Sequence, residues 1–572
     1  MLLINHLSQI REFENELDQS LRRLTSLAFD GQEALHLALN FLDFTHSQLN
    51  EAAAGMFSRG LDILAPFFID GEKGEPPDAK QLVLDLNFAG HYFLLRDYLY
   101  YTYNAKNSFT WQFSENTLEI HFKDSTIPRQ FYLQANNHFL ISINAFAERD
   151  HGKRLKQLLK GKDEFAHSEV PEEVERILEE EADLKLSLYY NPLDPSDEIE
   201  MGGYKYRDYY LVFKALMMKA LYHRYHSQAN EKSGVIRVTN ANLINDLHKA
   251  TGVPPAQCAR ILDDITYDAR ARHEGIQPVY FSLFRFNKTD EVILSPFDLA
   301  VWEGSINVLR VIALRKPELF LKNLSTPLGA SFVTRVQGTF VSAGFKCFKD
   351  LRLNQFDSRL PDIDLLVISE EPTFGYVLFC CEVKNPIPPQ WAKDHLRVLD
   401  QDSVAKAFGQ LDLVREFLLS EDGIRWIRTQ LPAEGLPHFG DQFLISVFSL
   451  VITSRNAGMF FGEREHTVID YITLGRILER CDGDVVYLLR ALREVGIWAD
   501  SCLKVSPVHC NVGRTSVAYD VVQIDQLLDF AQAEFKSSGA DTRIAEEFIK
   551  EGYHPFDTFE GLRSEKDPSD DN

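Results

Sequence analysis

Along the first fifty positions, apolar residues return at steps of three and four. Ile10, Phe13, Leu17, Leu21 and Leu24 fall on one helical face, and after a break at Asp30-Gly31 the series Leu35, Leu39, Leu42 resumes. Residues 71–78, Gly-Glu-Lys-Gly-Glu-Pro-Pro-Asp, suit a loop or linker. The period then shortens to two. Phe109, Trp111 and Phe113 alternate with polar residues, as do Leu118, Ile120 and Phe122, and Glu115-Asn116 is the hairpin turn between them. The alternation of Phe139, Ile141 and Ile143 predicts one more strand. A solvated acidic helix around Pro171–Glu181, a loop over 191–203 and a strong aromatic helix over Arg207–His226 follow. His223 and His226 share a face of that last helix at i, i+3, a spacing that could hold a metal. No third ligand is near in sequence, so ordinary amphipathic histidines are the simpler reading.

Residues 239–268 read as two helices and a turn. Leu243, Ile244 and Leu247 define the first, Gly252 stops it, and Pro254-Pro255 open the second, whose inner face is Cys258, Leu262 and Ile265. Val279–Phe286 and Glu291–Leu294 could form the strands of a wing, so the stretch resembles a winged-helix module. A DNA-reading helix carries bases for phosphates. This one has Gln257 and Arg260 but also Asp263 and Asp264, which favours packing or protein binding over DNA reading.

From residue 329 the pattern changes again. A helix over Gly329–Gly344 leads to a strand over Phe345–Leu353. Two apolar runs then follow, Ile363–Ile368 and Tyr376–Asn385, joined by a polar turn at Glu370–Gly375, which makes a β-hairpin. A hairpin sets the start of its first strand beside the end of its second, so Asp364 and Glu382 become neighbours. Lys384, two residues on, points to the same face. Paired carboxylates repel unless a cation or proton lies between them. Mg²⁺ accepts such oxygen ligands and can generate a bound hydroxide, which suits phosphodiester hydrolysis. Lys384 could instead close a purely structural ion pair with Asp364.

The run Pro361-Asp362, Asp364, Glu382-Val383-Lys384 resembles the PD-(D/E)xK nuclease superfamily, with its restriction-endonuclease-like fold. The likeness covers roughly residues 325–485. Later elements agree in order: a helix over Ser403–Leu419 with Lys406 and Gln410 on successive turns, a strand over Phe443–Thr453, a strand over Val468–Thr473 and a helix over Leu474–Arg480. The resemblance implies a catalytic set of Asp364, Glu382, Lys384 and Gln410. It implies Mg²⁺, with Mn²⁺ as substitute, on Asp364, Glu382 and Val383. Lys346, Lys349, Arg352, Lys393 and Lys406 are the expected nucleic-acid contacts. Many relatives carry a further Glu on the first helix, but no acid stands here between Ser331 and Lys349. Trp391 could stack on a base or cap the edge of the fold, and Cys380 and Cys381 read as core residues.

The expected architecture is a multidomain α/β chain, α+β overall. An N-terminal helical and β-rich domain spans 1–160, and an acidic linker and helix spans 161–230. A winged-helix-like module occupies 231–320, a mixed nuclease-like sheet flanked by helices 321–490, and an extension with an acidic tail 491–572. With 572 residues, 45% hydrophobic and 12% aromatic, the chain has material for several cores. The formal charge of −24 is uneven. Residues 161–200 hold 14 acids and 3 bases, and residues 541–572 hold 10 acids and 4 bases. Residues 325–420 are near neutral, with 12 acids and 10 bases. The total argues against indiscriminate DNA coating but not against one local groove.

The longest apolar stretch, Leu444–Thr453, is about half the ~20 residues a membrane helix needs. The N-terminus lacks signal-peptide character, and seven scattered Cys without a C-x-x-C pair fit a reducing cytoplasm. The expected function is a Mg²⁺-dependent endonuclease acting on DNA, by analogy part of a prokaryotic genome-defence system, with a protein partner or oligomer and no membrane. The competing expectation is a non-catalytic, nuclease-like adaptor that docks on a partner protein.

Overall fold

The computed structural model describes residues 2–47, 51–70, 74–105, 108–146, 150–163, 170–188, 193–194, 196, 198–286, 289–300, 304–371, 375–386, 391–400, 404–433, 444–455 and 466–523. The architecture is mixed α/β, with three separate sheets among many helices. The turn residues 372–374, residues 387–390 and the acidic tail 541–572 lie outside the described residues.

The N-terminal helices are α1 (Leu2–Arg22), α2 (Gly31–Ser47), α3 (Glu51–Asp70) and α4 (Ala79–Asn104). The apolar positions of the first two lie inward as their spacing requires: Ile10, Phe13, Leu17 and Leu21 of α1, and Leu35, Leu39 and Leu42 of α2, are buried. Asp78 caps α4 by accepting the Gln81 N–H at 2.7 Å. Strands β1 (Phe109–Phe113) and β2 (Thr117–Phe122) form the expected antiparallel hairpin, with Trp111 opposite Ile120. The strand expected at Phe139–Ile143 is instead part of helix α5 (Thr126–Phe146). The alternation there spans only five residues, too few to separate the two periods, while buried Tyr132, Leu133, Asn136 and Asn137 follow the helical one.

Helices α6 (Asp150–Leu159), α7 (Glu172–Leu188) and α8 (Tyr206–Asn230) come next. Beyond them lie β3 (Ile236–Thr239), α9 (Asn240–Thr251), α10 (Pro255–Ile265), β4 (Thr266–Tyr267), α11 (Ala269–His273), β5 (Leu283–Arg285) and β6 (Glu291–Leu294). Their sheet runs in the order β3-β6-β5-β4. Gly252 ends α9 at φ 72°, a left-handed conformation that glycine adopts without Cβ strain. Helices α12 (Pro296–Ala300), α13 (Gly304–Arg315) and α14 (Pro317–Leu319) pass through a π-helical turn at Phe320–Leu324 into α15 (Ser325–Ser342). Pro327, in the first turn of α15, has no N–H for the carbonyl four residues back, which favours that local widening.

The last unit holds β7 (Lys346–Leu351), β8 (Ile363–Glu371), β9 (Gly375–Lys384), α16 (Ala392–Asp400), α17 (Val404–Leu418), α18 (Glu421–Ala433), β10 (Leu444–Thr453), β11 (Thr467–Asp470), α19 (Tyr471–Leu478) and α20 (Val485–Cys502). The five strands lie in the order β11-β10-β9-β8-β7. β7, β8 and β9 are antiparallel neighbours, while β10 and β11 run parallel to β9. Strand alternation gives the sheet two buried faces. Leu365, Val367, Phe379 and Cys381 meet Phe332, Val336 and Phe340 of α15, and Leu366, Ile368, Leu378 and Cys380 meet Val404, Ala407 and Leu411 of α17. Each fully buried Phe, Leu or Val on these faces contributes about 1.5–3 kcal/mol.

The hairpin β12 (Lys504–Val512) and β13 (Thr515–Gln523) returns to the N-terminal region. There β13 pairs in parallel with β2, completing the sheet β1-β2-β13-β12. The Glu16 carboxylate of α1 accepts the Arg514 N–H at 3.0 Å and the Thr515 hydroxyl at 3.1 Å. Gly513 sits at φ 58° under that carboxylate, where a Cβ would collide with it. Among the described residues, no helix is long and apolar enough to cross a membrane.

Candidate functional site

The β8–β9 hairpin brings Asp364, Glu382 and Lys384 together. Leu365 pairs with Cys381, so Asp364 and Glu382 stand one step beyond the last paired residues. The three project toward α17, which supplies Gln410. The Lys384 ammonium lies 2.6 Å from the Glu382 carboxylate, 3.9 Å from that of Asp364 and 3.3 Å from the Gln410 side-chain oxygen. Asp364 also accepts the Val383 N–H at 2.9 Å. Only 2% of the Glu382 side chain is exposed, against 32% for Asp364. Burial pushes the Glu382 carboxyl up to about 7; Asp364 beside it adds to the rise and the Lys384 ammonium opposes it. All four residues expected to form the site therefore meet.

Their arrangement does not fit a divalent metal. Among the described residues, no group of three or more His, Cys, Asp or Glu is placed to hold one. The cluster has two carboxylates, and the Lys384 ammonium already lies against both. Val383, an expected metal ligand through its carbonyl, gives its N–H to Asp364 and so ties that carboxylate to the strand. The first helix adds nothing, since α15 carries no acid over Ser331–Ser342. These findings overturn the expected Mg²⁺-dependent endonuclease and its Mg²⁺ or Mn²⁺ cofactor, and with them the genome-defence nuclease role. The close lysine–carboxylate contact is that of a structural ion pair.

The five bases expected at a nucleic acid are spread over β7, the residues after it, α16 and α17. Lys346 on β7 pairs with Glu370, and Lys349 on the same strand donates to the Thr334 hydroxyl at 3.2 Å. Arg352 follows β7, Lys393 lies on α16 and Lys406 on α17, all three exposed. Trp391 stacks on Phe93 of α4, ring centroids 4.1 Å apart, and so packs within the chain.

In the helical pair α9–α10, the acids of α10 are taken up in ion pairs. Asp264 is buried, accepts the Tyr204 hydroxyl at 2.8 Å and pairs with Lys316 at 3.0 Å and Arg315 at 3.6 Å. Asp263 pairs with Arg285 at 2.9 Å. Arg260 donates to the Gly203 carbonyl at 3.2 Å. The charged groups of α10 thus bind its own surroundings. His226 contacts the Lys162 carbonyl at 3.0 Å and stacks on Tyr222, and burial holds His223 neutral, down to about 4.

Sequence reasoning missed a run of ionisable groups between the N-terminal helices and the rest of the chain. Asp43 pairs with Arg224 at 3.6 Å and Arg224 reaches His46 at 3.0 Å. Asp298, beside Asp43, is pushed up to about 8 by desolvation and by that neighbouring charge. Asp97 on α4 accepts the Ala392 N–H at 3.2 Å. The available signal was a single acid within an otherwise apolar helical face, such as Asp43 next to Leu39 and Leu42. No family model, no curated protein and no solved structure matches the chain.

Proposed function

We propose that the chain is a non-catalytic adaptor, built on a restriction-endonuclease-like sheet and docking a partner protein. The observation that carries this reading is the Lys384 ammonium closed onto Glu382 and Asp364, which leaves the pair of acids without a cation to recruit. The ion pairs of α10 support it, because they turn a helix that could read DNA into a packing element. The exposed acids of α7, among them Glu172 and Glu175, favour a basic partner surface. We read the chain as cytoplasmic, in keeping with seven cysteines that are all free.

The test has two arms. Purified full-length chain, incubated with Mg²⁺ or Mn²⁺ and with single- or double-stranded DNA or RNA, is expected to cut none of them. Metal-dependent cleavage that Asp364→Ala abolishes would overturn the reading. Affinity purification of the tagged chain from its own cells, with nucleic acid digested away, is expected to bring down one protein at fixed stoichiometry. Elution as the free chain would also count against an adaptor.

A further inference from the structure

Helix α16 is gripped by two other parts of the chain. Its first residue, Ala392, gives its N–H to Asp97 of α4 at 3.2 Å. Just ahead of it Trp391 stacks on Phe93, whose ring also lies 5.0 Å from the Arg59 guanidinium of α3. One turn in, Asp394 accepts the Tyr280 hydroxyl at 3.0 Å and pairs with Arg310 of α13 at 3.1 Å. The same helix connects the ion cluster to these contacts. Lys384 ends β9 a few residues before it, and α17, which begins just after it, carries Gln410 to Lys384. Asn385, next to Lys384, donates to the Leu328 carbonyl of α15 at 3.1 Å.

The polar part of the grip is imperfectly matched. His395 is buried, and its Nδ1 has no hydrogen-bond partner among the described residues; neither has the buried indole N–H of Trp391. Burial keeps His395 neutral, down to about 4, and desolvation pushes Asp97 up to about 7. Buried polar groups without partners weaken a docked state relative to the solvated one. A helix meant only to fill space is held by apolar side chains. This one has apolar contacts too, Ala392 and Leu396 in the N-terminal core and Val398 against Val404 and Ala407 of α17, and adds directional contacts that a single substitution or a competing partner can remove.

We propose that α16 is a releasable latch: docked, it locks the Lys384 end of β9 and the start of α17 to the N-terminal helices, and undocked, it lets both loosen together. The inference stands apart from the adaptor reading, since it concerns motion within the chain. If a partner engages the N-terminal helices, α16 is the element through which the ion cluster would respond.

Amide hydrogen exchange on the full-length chain tests it, comparing wild type with Asp394→Ala and Asp97→Asn at pH 8. Asp394→Ala removes the Tyr280 and Arg310 contacts. Its exchange is expected to rise about tenfold over residues 392–400 and also over 404–411, with α9, α10 and the β12–β13 hairpin unchanged. Asp97→Asn keeps an acceptor for the Ala392 N–H and removes the buried charge. Exchange over both 392–400 and 404–411 should then fall about threefold below wild type. A rise in Asp394→Ala confined to 392–400, with 404–411 untouched, would overturn the latch. So would an Asp97→Asn exchange equal to wild type. The second arm reads the proposal even if Asp394→Ala fails to fold.

Discussion

Replacing Glu382 by glutamine isolates the electrostatics of the cluster. The side chain keeps its size and can still accept from Lys384, but it no longer titrates. In the wild type, burial and the Asp364 charge raise the Glu382 carboxyl, and Lys384 only partly offsets them. A carboxyl whose folded value lies above its unfolded one holds its proton better when folded. Its stabilising contribution is therefore complete below about pH 4 and is lost as pH rises through about 7. The gap between about 7 and the ordinary 4.5, at about 1.4 kcal/mol per pH unit, sets the loss at about 3 kcal/mol. Between pH 5 and pH 8 the wild-type sheet should lose about 2–3 kcal/mol that Glu382→Gln does not lose. The whole chain holds several units and need not unfold in one step. The assay is therefore urea-dependent hydrogen exchange of β8, β9 and β10 amides at pH 5, 6, 7 and 8. Parallel pH curves for the two proteins would refute the reasoning, as would a steeper loss in the variant.

Three further outcomes are expected. Lys384→Met leaves Glu382 and Asp364 without their ammonium and should cost about 3–5 kcal/mol at pH 8 and less at pH 5, where Glu382 takes up a proton; thermal melts at both pH values read the difference. Glu16→Ala frees the turn at Gly513–Thr515, should cost about 1–3 kcal/mol locally, and should speed tryptic cleavage after Arg514 about tenfold or more; an unchanged cleavage rate would mean the contact is idle. Asp264→Leu removes the shared acceptor of Tyr204, Arg315 and Lys316, takes the ion pair from half-buried Lys316 and leaves buried Arg315 with Glu274, for an expected loss of about 3 kcal/mol by chemical denaturation.

Local pattern made the sheet unit legible. β8 and β9 are apolar runs, and a hairpin has few registers that keep both faces buried, so Asp364, Glu382 and Lys384 could be placed side by side from spacing alone. Gln410 came from the family resemblance rather than from spacing, and α17, packed on the same face, carries it to Lys384. What the spacing did not decide was the balance of charge. Whether two acids and a lysine bind a cation or one another depends on distances of a few ångströms, and here Lys384 sits at 2.6 Å from Glu382. The helix at 139–143 was lost because five alternating residues carry too little period. The contacts of α16 join residues nearly three hundred positions apart, such as Asp97 and Ala392, and no local pattern encodes them.

The sheet that joins the two ends of the chain has a consequence in time. β2 ends at Phe122 and its parallel partner β13 begins at Thr515, about 390 residues later. At roughly 5–20 residues per second, synthesis leaves the edge of the first hairpin waiting about 20–80 s for its neighbour. Through that interval Trp111, Leu118 and Ile120 must be shielded by α1, α4 and the start of α5, and an exposed strand edge invites pairing with the wrong chain. The order of emergence thus makes the N-terminal hairpin an early hazard of biosynthesis that ends only when the last hairpin arrives.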